Sequence, residues 1–215
     1  MPETLTKQEI DSKTDPSVSK QYDTNVSFEE SLKDFYSISD GLKIGILGTF
    51  RPGVGPVGRA MAVAKRSGPD FLFLANGHSQ KFTDLEKVKD VNVSFHNSTT
   101  QDWISVTGEA VTTSNDDPRI KEVYSKATSA WFGDLGDGVH TGGPEDPRMR
   151  LIEIRAKYIS YWKHNTNPLG FMKEIGVATI TGGVAVTGLL RELKEAEINK
   201  AREQDGNLSK SKSEL

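Results

Sequence analysis

The segment that most constrains the fold is Trp131–Pro147. It contains five glycines, two prolines and four acidic residues, but no lysine or arginine. Glycine raises the entropic cost of ordering the backbone and proline removes hydrogen-bond donors, so we expect neither helix nor strand here. The segment lies between two strongly patterned regions, and long irregular loops inside a compact domain are usually functional or disordered. Its composition is consistent with either a mobile acidic surface loop or a functional loop.

The overall composition argues against several classes of function. The 215-residue chain has 30 acidic and 27 basic residues, a formal net charge of −3, so it has no general electrostatic attraction to nucleic acid or to an anionic membrane. It has no cysteine, and its four histidines lack metal-ligand spacing, which argues against thiol chemistry and against a metal site. The N-terminal residues lack the apolar core of a signal peptide, so we expect a cytoplasmic protein.

We expect one folded domain, over residues 25–163, with extensions on both sides. Polar residues 1–24 and 204–215 predict disordered tails, and residues 164–203 predict a helical extension. Within that extension, Ile175–Leu190 carries no charge but is shorter than the roughly 20 residues that span a bilayer. Its glycines predict a helix, a break and a second helix, packed on the domain or on a partner subunit.

Alternating apolar residues bounded by turn signals predict six strands, over residues 43–50, 59–65, 71–76, 91–95, 104–110 and 152–158. Helix-start signals occur at Ser27, at Thr83 with Glu86, and at Asp117, and a charged helix is predicted over Leu189–Lys200. The short connections favour antiparallel pairing, including a pairing of 59–65 with 71–76. The sequence therefore predicts a mainly β protein of the α+β class, a six-stranded antiparallel barrel flanked by helices.

The segment Gly53–Gly58 matches the G-x-G-x-x-G pattern of dinucleotide-binding folds, but its context differs. A dinucleotide site needs a helix to begin inside the motif, and Pro56 lies there instead. The run that follows is stopped by Ser67–Pro69, too early for a crossover helix. A hairpin between two antiparallel strands explains the same glycines, and we prefer that interpretation over a dinucleotide-binding oxidoreductase.

A candidate anion site follows the strand that ends at Asn76. Ser79 and Lys81 stand at a predicted helix start, where a hydroxyl, an ammonium and free backbone amides can reach one anion. Pairing of the neighbouring strands would bring Arg59 to the same place. A capped helix with a solvated lysine explains Ser79 and Lys81 equally well without a ligand.

Two tryptophans are candidates for stacking on a flat ring. Trp103 follows a turn at the start of a strand, where an indole can stack on a planar cofactor or cap the core. Trp131 ends a helical face and begins the glycine-rich segment, where it can equally anchor the core. Ala60 and Ala62, on the strand that Arg59 begins, are small enough to allow a ring close approach.

Together these segments resemble the flavin-binding split-barrel superfamily of the pyridoxamine phosphate oxidases, and most closely its general stress protein branch with the fungal blue-light-inducible type. The resemblance covers residues 27–200 and is most specific over Ala130–Arg148. Supporting matches are Ser94–Ser98, Trp103–Gly108 and Leu190–Leu193.

The resemblance implies a six-stranded split barrel, a homodimer and FMN held at the subunit interface. Arg59 and the Ser79–Lys81 turn occupy the places that hold the FMN phosphate and ring in the oxidases. Trp103 stands where the family has a glutamine-like residue near the flavin. The implied cofactor-binding residues are Arg59, Ala60, Met61, Ala62, Leu74, Ala75, Asn76, Ser79, Gln80, Lys81, Trp103 and Trp131.

The resemblance indicates a cofactor more clearly than a reaction. The oxidases carry an arginine-rich C-terminal segment that grips pyridoxal phosphate, and Tyr158–Pro168 has no equivalent, which argues against pyridoxamine phosphate oxidation. We expect a flavin-dependent oxidoreductase or redox-stress protein of unspecified substrate, with FMN or FAD as cofactor and no identifiable acid or base. The alternative is a non-catalytic dimeric module for ligand binding or interaction that has lost flavin.

Overall fold

The computed structural model describes residues 11, 13–20, 22, 25–165 and 168–206. Its strands are β1 (Ile44–Arg51), β2 (Gly55–Ala62), β3 (Lys65–Ser67), β4 (Asp70–Asn76), β5 (Asp90–His96), β6 (Trp103–Thr112), β7 (Met149–His164) and β8 (Gly188–Leu193). Its helices are α1 (Pro16–Ser19), α2 (Phe28–Gly41), α3 (Gln80–Lys87), α4 (Arg119–Val123), α5 (Lys126–Ser129), α6 (Pro168–Thr181) and α7 (Glu195–Asp205).

All eight strands belong to one antiparallel sheet in the order β2-β1-β5-β6-β7-β4-β3, with β8 also paired to β7. The long strand β7 pairs β4 through its first half and β8 through its second half, while β6 pairs along most of its length. Strand β2 also contacts β4, which brings the two arms of the sheet together. The predicted antiparallel α+β class is confirmed, but the predicted number of six strands is wrong.

The first extra strand comes from the run predicted as 59–65. Strand β2 begins at Gly55 and forms a hairpin with β1, in which Arg59 pairs Leu47. Gly53 (φ 79°) and Gly55 (φ 108°) adopt the left-handed conformations that this tight turn requires. The interpretation of Gly53–Gly58 as a hairpin is therefore confirmed. The predicted pairing of 59–65 with 71–76 is wrong, because β2 pairs β1 and only the short β3, from Lys65 onward, pairs β4 on this side.

The second extra strand lies in the C-terminal extension. A helix, α6, ends at Gly182 (φ 68°) as predicted, but the predicted second helix is replaced by β8. Gly188 allows this pairing, because a Cβ there would lie 2.4 Å from the Trp162 ring. The predicted helix Leu189–Lys200 is correspondingly wrong in its first half. No helix in the described ranges is long and apolar enough to cross a membrane.

Helix starts were predicted with mixed success. Ser27 caps α2 through a hydrogen bond from the Glu30 amide (3.2 Å), as expected. Thr83 is not a cap, because α3 already begins after Ser79. Most residues of the two predicted disordered tails lie outside the described residues. Among the tail residues that are described, α1 forms a single helical turn and the end of α7 extends to Asp205.

One core lies between the sheet and α2. Its largest fully buried side chains include Phe35, Phe71, Phe95 and Tyr161. The Phe35 ring meets the Phe71 ring edge-on at 6.2 Å, a favoured geometry for aromatic pairs. A second cluster, of Leu72, Ile120, Val123, Met149 and Leu151, covers the other side of β4 and β7. Strand β4 is thus covered on both faces.

The glycine-rich segment Trp131–Pro147 contains no helix or strand, as predicted, but hydrogen bonds from Arg148 hold it in place. The Arg148 guanidinium donates to the carbonyl oxygens of Phe132 (2.9 Å), Gly133 (2.7 Å) and His140 (3.3 Å). It also donates to both carboxylate oxygens of Asp146, which is fully buried. Because the segment's own carbonyls converge on one arginine, its path is fixed without secondary structure.

The buried carboxylate of Asp146 should make the stability of the folded protein depend on pH. The Arg148 side chain and the backbone amides of Gly142 and Arg148 lower the pKa of Asp146 to about 2, below the ordinary value near 3.9. A lowered folded-state pKa gives stability that is complete above the unfolded value and lost as the pH falls toward the folded one. We therefore expect Asp146→Asn to lower the melting temperature by several degrees near neutral pH. The difference in melting temperature between wild type and Asp146→Asn should become smaller below about pH 4. Thermal denaturation over a range of pH measures it, and a difference that does not change with pH would contradict this role.

Gly108 should be irreplaceable at the β6–β7 bulge. The pairing register shifts between Thr107 and Gly108, and a Cβ at Gly108 would lie 2.2 Å from the Arg155 carbonyl oxygen. We expect Gly108→Ala to cost about 2 kcal/mol, because backbone must move to admit the methyl group. Gly41→Ala is the matched control, since no atom lies within 4 Å of its added Cβ. Urea unfolding of both variants measures the difference, and equal stabilities would refute the prediction.

Candidate functional site

A buried carboxylate organises two arginines at the β1–β2 hairpin. Asp84, on α3, is 1% exposed and accepts hydrogen bonds from Arg51 Nε (3.0 Å), Arg59 Nη2 (3.1 Å) and Thr49 Oγ1 (3.0 Å). Arg59 Nη1 also donates to Thr49 Oγ1 (3.0 Å). We call Thr49, Arg51, Arg59 and Asp84 the Asp84 cluster. It ties α3 to the hairpin, so the helix start lies beside both arginines.

Lys81 stands next to this cluster without a carboxylate of its own. Its Nζ donates to Ser79 Oγ (2.8 Å), and Ser79 Oγ donates to the Asn76 carbonyl oxygen (2.6 Å). Within the described residues Lys81 forms no ion pair with an acid. Burial lowers the pKa of Lys81, and the charge of nearby Arg59 lowers it further. Lys81 and Arg59 are therefore neighbouring cations, part-buried and mutually repulsive.

The charges here do not cancel. Hydrogen bonds from Arg51, and then from Thr49 and Gln80, lower the pKa of Asp84, so this acid is ionised at neutral pH. Arg51, Arg59 and Lys81 against Asp84 give three positive charges and one negative, an excess of two. With the Ser79 hydroxyl and the first amides of α3, this donor set has the chemistry of a phosphate-binding site. We call Arg59, Ser79 and Lys81 the candidate anion site.

The structure brings together only part of the predicted site. Arg59, Asn76, Ser79, Gln80 and Lys81 meet around the start of α3. They do so although the predicted strand pairing was wrong, because Asp84 rather than β4 draws Arg59 toward Lys81.

The other predicted residues on β2 and β4 are divided between several surfaces. Met61 packs against the main core, and Ala75 is buried in it. Leu74 packs against the second cluster. Ala60 and Ala62 are exposed and alternate with Arg59 and Met61, so they lie on the outer face of the sheet.

Neither tryptophan reaches the candidate anion site within one chain. Trp103 pairs His96 and Trp162 across the sheet and alternates with buried Ile104, so it lies on the outer face. Arg59 pairs buried Leu47 and lies on the inner face. Trp131 is 85% exposed at the start of the glycine-rich segment.

Sequence reasoning missed Thr49, Arg51 and Asp84. Arg51 and Arg59 both lie in the hairpin, and Asp84 follows Lys81 by one helical turn, so a usable signal existed. The sequence pattern predicts a helix start at Thr83 with Glu86, and a helix that begins there gives Asp84 no role, whereas α3 begins at Gln80.

Two cavities stand out in the described part of the chain, and neither is lined by the Asp84 cluster. One, of about 170 Å³, lies between Asp117 and Glu145. The other, of about 570 Å³, lies between α2 and Lys163. The candidate anion site therefore lies outside both of these cavities.

Comparison with known proteins now identifies the fold family. The sequence model of the family described as pyridoxamine 5′-phosphate oxidase like matches residues 30–185. The chain belongs to this family. It is also 37% identical over 191 residues to protein bli-3 of Neurospora crassa, covering 87% of this chain and 91% of that protein. The resemblance inferred from the sequence is thereby confirmed.

Solved structures of family members share the fold. A Clostridium acetobutylicum protein related to general stress protein 26 has a TM-score of 0.58 and 16% identity, over 80% of this chain and 99% of that one. General stress protein 26 of Bacillus anthracis has a TM-score of 0.53 and 23% identity, over 61% and 93%. At such identities the likeness extends to the fold only.

Proposed function

We propose that this chain binds FMN, with the cofactor's phosphate at the candidate anion site. The observation that carries the proposal is the excess of two positive charges on part-buried Arg59 and Lys81, beside the Ser79 hydroxyl and a helix start. A phosphate monoester carries close to two negative charges at neutral pH, so it matches this excess. Family membership supports the same cofactor class. The proposed flavin is FMN rather than FAD because its terminal monoester fits a compact three-residue site.

We further propose that the functional unit is a homodimer. Strand β1 presents Ile44 (63% exposed), Ile46 (48%) and Phe50 (44%) on the outer face of the sheet, next to Ala60 and Ala62 of β2. A contiguous exposed apolar face of this kind marks an interaction surface. A second copy would cover this apolar face and bring Trp103 or Trp131 of either subunit toward the ring.

The bound flavin would supply hydride or electron transfer, and the chain would supply binding and orientation. Arg59, Ser79 and Lys81 would hold the phosphate, while Trp103 or Trp131 of either subunit would approach the ring. We place the protein among flavin-dependent oxidoreductases or redox-stress proteins. A flavin-loading experiment followed by a turnover screen with NADH and NADPH tests this activity, and a dimer that loads no flavin would contradict it.

A second candidate function is protein interaction without flavin chemistry. The anchored segment Trp131–Pro147 exposes Trp131, Leu135 and Val139, apolar side chains on a fixed acidic loop. Such a surface is suited to a partner protein. A colourless protein that stays colourless in excess FMN would favour this candidate.

Lys81→Ala should weaken FMN binding about tenfold or more, because it removes one charged hydrogen-bond donor to the phosphate. The fold should persist, since the Lys81 side chain bonds only Ser79 among the described residues. Quenching of flavin fluorescence measures the affinity. The matched control is Lys87→Ala, an exposed lysine in the last turn of the same helix. Equal affinities of the two variants would remove Lys81 from the site.

Ile46→Glu should convert the dimer to a monomer, because it places a charge at the centre of the apolar outer face. Light scattering after size-exclusion chromatography measures the mass. Val54→Glu, at the exposed hairpin turn, is the control and should leave the dimer intact. A wild-type chain that is monomeric at every concentration would overturn the dimer proposal.

A further inference from the structure

The Asp84 cluster contains an apparent contradiction. A site that is to bind an anion holds a buried, ionised carboxylate between its two arginines. Taken alone, that charge repels phosphate. Its presence therefore calls for a role that outweighs the repulsion.

The hydrogen bonds around Arg59 indicate such a role. Asp84 and Thr49 hold its two terminal nitrogens at 3.1 and 3.0 Å, and Asp84 in turn accepts from the Thr49 hydroxyl. A guanidinium has five N–H groups, and these contacts use two of them. The remaining donors are held in one orientation, ready for a ligand.

Without this anchor Arg59 would not stay beside Lys81. Like charges repel, and the charge of Arg59 adds to burial in lowering the pKa of Lys81. An arginine side chain also has considerable rotamer freedom. An anion would then have to order Arg59 itself, and that ordering reduces affinity. Asp84 removes this cost before the ligand arrives, because its own position is fixed by α3 and by Arg51.

We propose that Asp84, assisted by Thr49, is a positioning residue that holds Arg59 beside Lys81 and so prepares the site for a phosphate monoester. This inference rests on the proposed function of the same site. Asp84 does not contact the phosphate; it acts through Arg59. It also sets the excess charge at two, which favours the dianion over uncharged riboflavin.

The sign of one substitution separates positioning from simple repulsion. If the carboxylate only repels phosphate, Asp84→Asn will tighten FMN binding. If it positions Arg59, the same variant will weaken FMN binding about tenfold, the effect of losing one oriented charged contact, and will leave riboflavin affinity unchanged. Fluorescence titration with FMN and with riboflavin gives both values, and the ratio between them is insensitive to a merely structural role.

A double-mutant cycle assigns the effect to Arg59. In an Arg59→Gln background, Asp84→Asn should bring no further loss of FMN affinity, because the group it positions is gone. Should Asp84→Asn fail to fold, Thr49→Val carries the test, since it removes the second anchor at nearly constant volume. Thr49→Ser keeps the hydroxyl and should retain wild-type affinity.

The outcomes distinguish this inference from the function on which it rests. A wild-type chain that binds FMN no better than riboflavin overturns both. Phosphate-dependent binding by wild type, combined with unchanged or tighter binding by Asp84→Asn, overturns the positioning role alone. Equal losses of FMN and riboflavin affinity also overturn it, because they indicate general damage to the fold.

Discussion

The pairing of β7 with three other strands is the constraint on which the rest of the structure depends. Its 16 residues join β4 and β8 on one edge and β6 on the other, so both arms of the sheet meet on one strand. The bulge at Gly108 bends this pairing and lets the sheet curve around the core. Strand β2 contacts β4, so the two arms of the sheet meet again away from β7.

Buried carboxylates then fix the segments that the sheet leaves free. Asp70 Oδ2 accepts a hydrogen bond from Arg202 Nε (2.7 Å), which holds α7 against β4. Asp146 and Arg148 gather the carbonyls of the glycine-rich segment, and Asp84 gathers the hairpin and α3. Each acid is paired and hydrogen-bonded, which offsets the cost of taking its charge out of water. Where the chain lacks the regular hydrogen bonds of helices and strands, hydrogen bonds between arginines and buried carboxylates hold it in place.

The same arrangement of a buried acid with arginine serves structure at Asp146 and, in our proposal, prepares the candidate anion site at Asp84. At Asp146 all three guanidinium nitrogens of Arg148 donate to the protein's own carbonyls and carboxylate. At Asp84 two arginines share one acid, and Lys81 lies beside them bonded to Ser79, so positive charge is left over. The balance of charges, not the presence of arginine, therefore separates the Asp146 pair from the candidate anion site.

Local sequence determined the antiparallel class, the hairpin at Gly53–Gly58, the irregular path of Trp131–Pro147 and the pairing of Ser79 with Lys81, because each depends on neighbouring residues and on turn chemistry. Tertiary structure alone decided that β8 replaces a helix, since its Leu193 is buried only by lying beside β7. It also decided that Arg59 reaches Lys81 through Asp84, a contact across 25 residues of chain. Periodicity records which face of an element is apolar, but it carries no information about which distant charge will neutralise another.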